Sequence, residues 1–232
     1  MPKHRFANEV SRRDFLVAAG ATLVSLSSLG AIAPDDPPLS PNAGGQTILE
    51  SVLQKGDILL TTTTSTDGWA SAAVSALIRQ ATGGGPVSHS AVFIGNDSVI
   101  DATITGGVNV NSYNDFAQKA SVIVAFRYPS ITAAQQQNIV DFCLSQLGKP
   151  YALIGAVASA HFFFGPLLHQ LVDMGGTDGS FYCSKLVIDS YGNAGANLVT
   201  ADPQWQSPND LISLTWFGEL GYVGHLKYPV GS

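Results

Sequence analysis

Val87-Ser88-His89-Ser90-Ala91-Val92-Phe93-Ile94-Gly95 is a short, largely apolar run entered through Gly83-Gly84-Gly85-Pro86 and left through Asn96-Asp97. An apolar run of this length between turn residues predicts a β-strand over 89–94. Its one titratable side chain, His89, sits at the mouth of the strand, where an imidazole can face a cleft at a sheet end. A second strand, predicted from Val99 to Ile104, comes after the Asn96-Asp97 turn. If the two pair as a hairpin, Asp101 returns near the level of His89. Further along, Phe181-Tyr182-Cys183-Ser184-Lys185-Leu186-Val187 comes after the loop Gly175-Gly176-Thr177-Asp178-Gly179. Here a helix is predicted to begin at Cys183 and run to about Tyr191, with Leu186, Val187 and Tyr191 inward.

Outward from these segments, Gly56-Asp57 predicts a turn feeding a strand at Ile58-Leu59-Leu60-Thr61-Thr62. Val74, Leu77, Ile78 and Ala81 recur at helical spacing, so a helix is expected over 70–82. Gly106-Gly107 turns into Val108-Asn109-Val110, and Ser121 to Tyr128 predicts another strand. Thr132 caps a helix through Leu147, stopped by Gly148 with Pro150 beyond, and Val140, Cys143, Leu144 and Leu147 are expected on its buried face. Tyr151 to Val172 is mostly apolar but broken by Gly165-Pro166 and two histidines, which predicts two short buried or groove-lining helices rather than a membrane span. Pro208-Asn209-Asp210-Leu211 opens a short helix, and Tyr222 to Tyr228 is the last predicted strand.

With 45% apolar and 12% charged residues, the 232-residue chain can build a substantial core. A net charge of −6, with no basic run beyond the first residues, argues against nucleic acid as a partner. Ser11-Arg12-Arg13-Asp14-Phe15-Leu16 precedes an apolar stretch, the pattern of a twin-arginine signal peptide over 1–33. An uncleaved N-terminal anchor helix is the alternative. Small residues suit a cut after Gly30 or after Ala33, and no cysteine lies nearby to carry a lipid. The expected organisation is this leader, a Pro/Gly-rich linker over 34–48 and one folded domain over 49–232. The mature protein is expected in the periplasm or secreted, without a permanent membrane span.

Cysteine acts as a nucleophile only as thiolate, and an imidazole plus a helix N-terminus are the usual means of making one. Cys183 is expected at such an N-terminus, where backbone N–H groups can also cradle an oxyanion. A buried structural cysteine, or a disulfide to Cys143, are the alternatives. His89 has a core-edge alternative, and Asp101, which could orient the imidazole, an ordinary strand-end alternative. Cys143 is expected to pack as a small apolar residue. No histidine or carboxylate spacing suggests a metal site, and no cofactor is expected.

Gly56-Asp57-Ile58-Leu59, Ser88-His89-Ser90-Ala91-Val92-Phe93-Ile94-Gly95, Val99-Ile100-Asp101-Ala102, Gly107-Val108, Gly148-Lys149-Pro150-Tyr151 and Tyr182-Cys183-Ser184-Lys185-Leu186-Val187 occur in this order. Together they resemble the circularly permuted branch of the NlpC-type papain-like hydrolases, the YiiX-like group, in which the His strand precedes the Cys helix. The resemblance covers about residues 55 to 215. It implies an α+β papain-like fold, with a small antiparallel sheet packed against the helix bearing Cys183. It further implies Cys183 as nucleophile, His89 as base and Asp101 at the third polar position, where the group usually has a longer Glu. Tyr182 and Ser184 would support the oxyanion, and Tyr151, Phe162 and Phe163 would contact substrate. The implied partner is an amide- or ester-containing substrate, peptide-type or N-acyl. The apolar 152–172 stretch suggests an acyl portion. A non-catalytic lipid- or partner-binding module on the same fold is the competing expectation, and a transacylase differs only in what resolves the acyl-enzyme.

Overall fold

Six antiparallel strands form one sheet in the order β4-β3-β2-β1-β5-β6: β1 (Ile58–Thr63), β2 (His89–Gly95), β3 (Ser98–Thr103), β4 (Gly107–Ser112), β5 (Ala120–Arg127) and β6 (Gly221–Lys227). The computed structural model describes residues 50–63, 87–152, 181–198, 206–211 and 220–227. The expected leader over 1–33, linker over 34–48, helix over 70–82 and loop 175–179 lie outside the described residues, as does 153–172 of the apolar stretch, with Phe162 and Phe163. The β2–β3 hairpin forms because Asn96 and Asp97, both at positive φ, make the tight turn whose twist matches two antiparallel strands.

Strand alternation sorts the side chains onto two faces. Ile58, Leu60, Val92, Ile100, Val124 and Phe126 lie in one buried cluster with Ile139 and Cys143 of α2 (Ala133–Ser145) and Leu186, Val187 and Tyr191 of α3 (Cys183–Asn193). Their neighbours in the same strands, Leu59, Ala91, Phe93, Val99, Ile123 and Ala125, join Tyr113, Phe116 and Ala117 of α1 (Tyr113–Lys119) in a second cluster. The sheet is therefore covered on both faces, with α3 lying on β2 and β3 and against α2. This is the expected α+β arrangement, and the inward residues of the Cys183 helix are those its spacing predicts.

Three differences from the sequence expectations have local causes. Helix α1 has no counterpart among the expected elements, because seven residues give only one i, i+3, i+4 set, Tyr113, Phe116 and Ala117. Its start is nonetheless capped, with Ser112 Oγ accepting from Asp115 N at 3.0 Å. In α2, capped by the expected Thr132 through a reciprocal box with Gln135, Leu144 and Leu147 are 39% and 47% exposed rather than buried. The inward face is Ile139, Val140 and Cys143, and Leu144 lies roughly 90° round the helix from its middle. Leu147 falls beyond the helix end, in the turn to Gly148.

Two ties fix the frame around the catalytic candidates. Asp57, 1% exposed, takes a two-point ion pair from Arg127 at 2.7 and 2.6 Å and a hydrogen bond from Gln54 N at 2.8 Å, locking the entry to β1. The Tyr191 hydroxyl donates to the Gly56 carbonyl of the same turn. At the other side of the sheet, residues 148–151 run along the edge of β4. Val108 N donates to Lys149 O and Gly148 N to Val108 O, each at 2.9 Å. Only glycine suits Gly107 there: its φ is +63° and a Cβ would lie 2.3 Å from Lys149 O. The chain then bridges Tyr151 to Phe181 and delivers Tyr182 and Cys183 to the head of α3.

Candidate active site

His89 opens β2, and Asp101 lies level with Ala91 on the neighbouring strand. That diagonal relation lets Asp101 Oδ2 approach His89 Nε2 to 2.8 Å, with 14% of the His89 side chain and 4% of the Asp101 side chain exposed. The imidazole also packs beside Phe116 of α1, ring centroids 6.2 Å apart. With Nε2 occupied by the carboxylate, Nδ1 is the nitrogen left for Cys183, to which His89 is hydrogen-bonded.

Cys183 is the first residue of α3 and 1% exposed. Tyr182 occupies the N-cap position and makes no side-chain capping bond, so its side chain leaves the first N–H groups of the helix open. Burial alone would push the Cys183 thiol up. The charge of His89, its hydrogen bond and those of Ser90 outweigh this and hold the thiol below its ordinary range. Conversely, burial pulls the His89 imidazolium down, but the Cys183 charge and the Asp101 hydrogen bond push it up to about 10. The pair therefore favours thiolate with imidazolium over thiol with imidazole. Ser90 acts through both backbone and hydroxyl. Its hydroxyl is buried, and it contributes the smallest of the effects that favour the thiolate.

Cys143 is the contrasting case. Both cysteines are free, so the disulfide alternative is excluded. Burial pushes the Cys143 thiol up to about 12. It packs as the small apolar residue expected of it.

Of the other sequence-expected residues, Tyr151 is brought to the site. Burial raises its phenol well above the ordinary range, and the charges of Cys183 and Asp101 add to this, as does Tyr182. Tyr182 is 2% exposed and packs with Ala152 and Tyr151. The Ser184 hydroxyl is turned away, donating to Gln206 O at 2.6 Å. Among the described residues no group of three or more His, Cys, Asp or Glu side chains could hold a metal.

Three groups escaped the sequence reading. Asn111 Nδ2 donates to Asp101 Oδ1 at 3.0 Å, and Asn109 stands behind it. The signal was the alternation Val108-Asn109-Val110-Asn111, which sets two amides on one face of a strand beside that of Asp101. Ser90 was visible only as part of the histidine strand. Asn209, in the predicted short helix over 208–211, grips the backbone of Val87, taking its N–H at 3.2 Å and donating to its carbonyl at 2.7 Å. The segment 206–211 thus straps the head of α3, through Ser184, to the strand that carries His89.

Two comparisons bear on this geometry. A family model described as permuted papain-like amidases, YaeF/YiiX, C92 family, matches residues 52–163, a stretch holding His89, Asp101 and Tyr151 but ending before Cys183. The curated "Probable lipoprotein peptidase YaeF" of Escherichia coli (strain K12) is 29% identical to the chain. The similarity covers 61% of this chain and 62% of that relative, so the chain spans less than two thirds of the relative's length.

Proposed function

We propose that the chain is a permuted papain-like enzyme of the YaeF/YiiX kind, as the match over residues 52–163 supports, and a cysteine hydrolase of amide bonds, peptide-type or N-acyl, or of ester bonds. The observation that carries this reading is the buried Cys183–His89 pair with Asp101 on the far nitrogen of the imidazole. The Cys183 thiolate adds to the substrate carbonyl, and the resulting oxyanion is held by the N–H of Cys183 at the head of α3. Tyr182 leaves that helix start open, and Ser184 contributes through its N–H, its hydroxyl being engaged elsewhere. As the tetrahedral intermediate collapses, the carbon–nitrogen bond breaks and the His89 imidazolium gives its proton to the departing amine. Neutral His89 then takes a proton from water, whose hydroxide displaces Cys183 from the acyl carbon. Asp101 keeps the ring oriented through both steps.

Substrate contacts are assigned to Tyr151, beside the nucleophile, and to Phe162 and Phe163 in the apolar stretch, which suits an acyl portion of the substrate. We assign residues 1–33 as a twin-arginine leader, 34–48 as a linker and 49–232 as the hydrolase domain. The relative is named a lipoprotein peptidase, which supports an envelope location for this chain too. Among the described residues no helix is long and apolar enough to cross a membrane. The lipid-binding alternative drew its weight from aspartate standing in place of a longer glutamate. The 2.8 Å approach of Asp101 to Nε2 supports the hydrolase reading over it, because the shorter side chain spans the gap.

Alkylation with iodoacetamide at neutral pH tests the reading. Cys183 is expected to react at least about 100-fold faster than Cys143, and His89→Ala to slow Cys183 by about tenfold or more. Slow labelling of Cys183, indifferent to His89, would remove the activated nucleophile. Hydrolysis of an N-acyl and peptide amide library, abolished by Cys183→Ala, completes the test.

A further inference from the structure

The carboxylate of Asp101 spends one oxygen on His89, and the fate of the other decides how well it is aimed. Asn111 Nδ2 donates to that second oxygen at 3.0 Å and to Asn109 Oδ1 at 2.8 Å, so both protons of one amide are committed. Asn109 is itself held, its Nδ2 donating to Gly107 O at 3.0 Å and to Thr103 Oγ1 at 3.3 Å. The β3–β4 register explains the reach. Asn109 stands directly opposite Asp101, and Asn111 stands one diagonal step further along the same face. Asp101 is 3% exposed, so bulk water cannot serve Oδ1 in place of the amide. An aspartate bonded at one oxygen alone could still swing about its terminal torsion, whereas one gripped at both cannot.

Resting on the hydrolase reading above, we propose that Asn111, locked from behind by Asn109, is a positioning residue that aims the Asp101 carboxylate at His89 and so holds the imidazole on Cys183. It acts only through Asp101, and that restriction makes the idea testable without knowing the substrate.

The experiment reads thiolate absorbance near 240 nm against pH, from about pH 4 to about pH 9, where the buried Cys143 stays protonated and silent. In the wild type the midpoint should lie below the ordinary cysteine range. Asn111→Ala should raise it by about half a unit to one unit, because a less well held carboxylate supports the imidazolium less. Asp101→Ala should move it further in the same direction, and the double variant should match Asp101→Ala alone. Asn111 is half-buried on an edge strand, so its loss opens no core cavity, and the thermal midpoint serves as the control. Should that variant nonetheless fail to fold, Asn109→Ala is expected to give a smaller shift of the same sign.

An unmoved midpoint in these variants, or a shift that persists undiminished without Asp101, would overturn the positioning role. A wild-type midpoint in the ordinary cysteine range would instead sink the hydrolase reading itself. The two failures are therefore distinguishable.

Discussion

Asp101 and His89 meet across the β2–β3 pair at 2.8 Å, carboxylate oxygen to Nε2, although their strand positions are diagonal rather than opposed. The offset suits a short side chain: aspartate leaning along the strand covers the distance to the imidazole. It also leaves Nδ1 as the ring nitrogen available for the hydrogen bond with Cys183, the arrangement a thiolate–imidazolium pair needs.

Removing that carboxylate should cost activity and narrow the pH range. Asp101→Ala is expected to lower kcat/KM about 10- to 100-fold, since the ring keeps its contact with Phe116 but loses its orienting partner. The imidazolium would also lose its support, so the alkaline limb should move below its wild-type position. A pH–rate profile of the variant on the best amide substrate checks both effects; an unchanged alkaline limb would exclude Asp101 from the pair.

The wild-type profile should be bell-shaped. Activity rises as Cys183 loses its proton, and because His89 and Ser90 stabilise the thiolate this limb should lie below the ordinary cysteine range. It falls as the imidazolium loses its proton, and with His89 raised to about 10 the fall should be centred near there. A fall centred near the ordinary histidine value would show that the ion pair is not the active form.

Asn209→Ala should loosen the strap between the two halves of the site. It strips both hydrogen-bonding partners from the backbone of buried Val87, two residues before His89. Each unsatisfied buried group costs about 1–3 kcal/mol, so urea unfolding should show a clear loss of stability. Alkylation of Cys183 should slow as well, because the strap also takes the Ser184 hydroxyl beside the nucleophile. A loss of stability with unaltered Cys183 reactivity would confine the strap to folding.

Arg127→Met tests the lock on β1. It leaves the Asp57 carboxylate buried without its cation, an imbalance that typically costs about 3–5 kcal/mol. The urea midpoint should fall accordingly, whereas Lys55→Met, at a residue whose ammonium bonds the exposed Gln137, should leave it nearly unchanged.

Much of this architecture was legible in local chemistry. Asn96-Asp97 announces the hairpin, Thr132 and Gly148 bracket α2, and the glycine-rich approach to Cys183 announces a helix start. These signals involve residues within one or two turns of one another, and their backbone preferences act whatever the rest of the chain does. Helix α1 was illegible because a seven-residue helix has too little periodicity to stand out from its surroundings. It forms because Tyr113, Phe116 and Ala117 cover a sheet face that no other described helix reaches.

The strands, the helix that begins at Cys183, and the candidate trio of Cys183, His89 and Asp101 could be read from the chain alone, because turn chemistry, apolar period and motif order are written in neighbouring residues. The folded arrangement is what brings the trio together, holds one cysteine toward thiolate while pushing the other to about 12, and sets Asn111 against Asp101 and Asn209 against the Val87 backbone. Those outcomes depend on strand register and on contacts between residues as much as 122 positions apart, and on how burial is offset by each neighbouring charge. Such terms exist only once the sheet has closed and water has left the space between its faces.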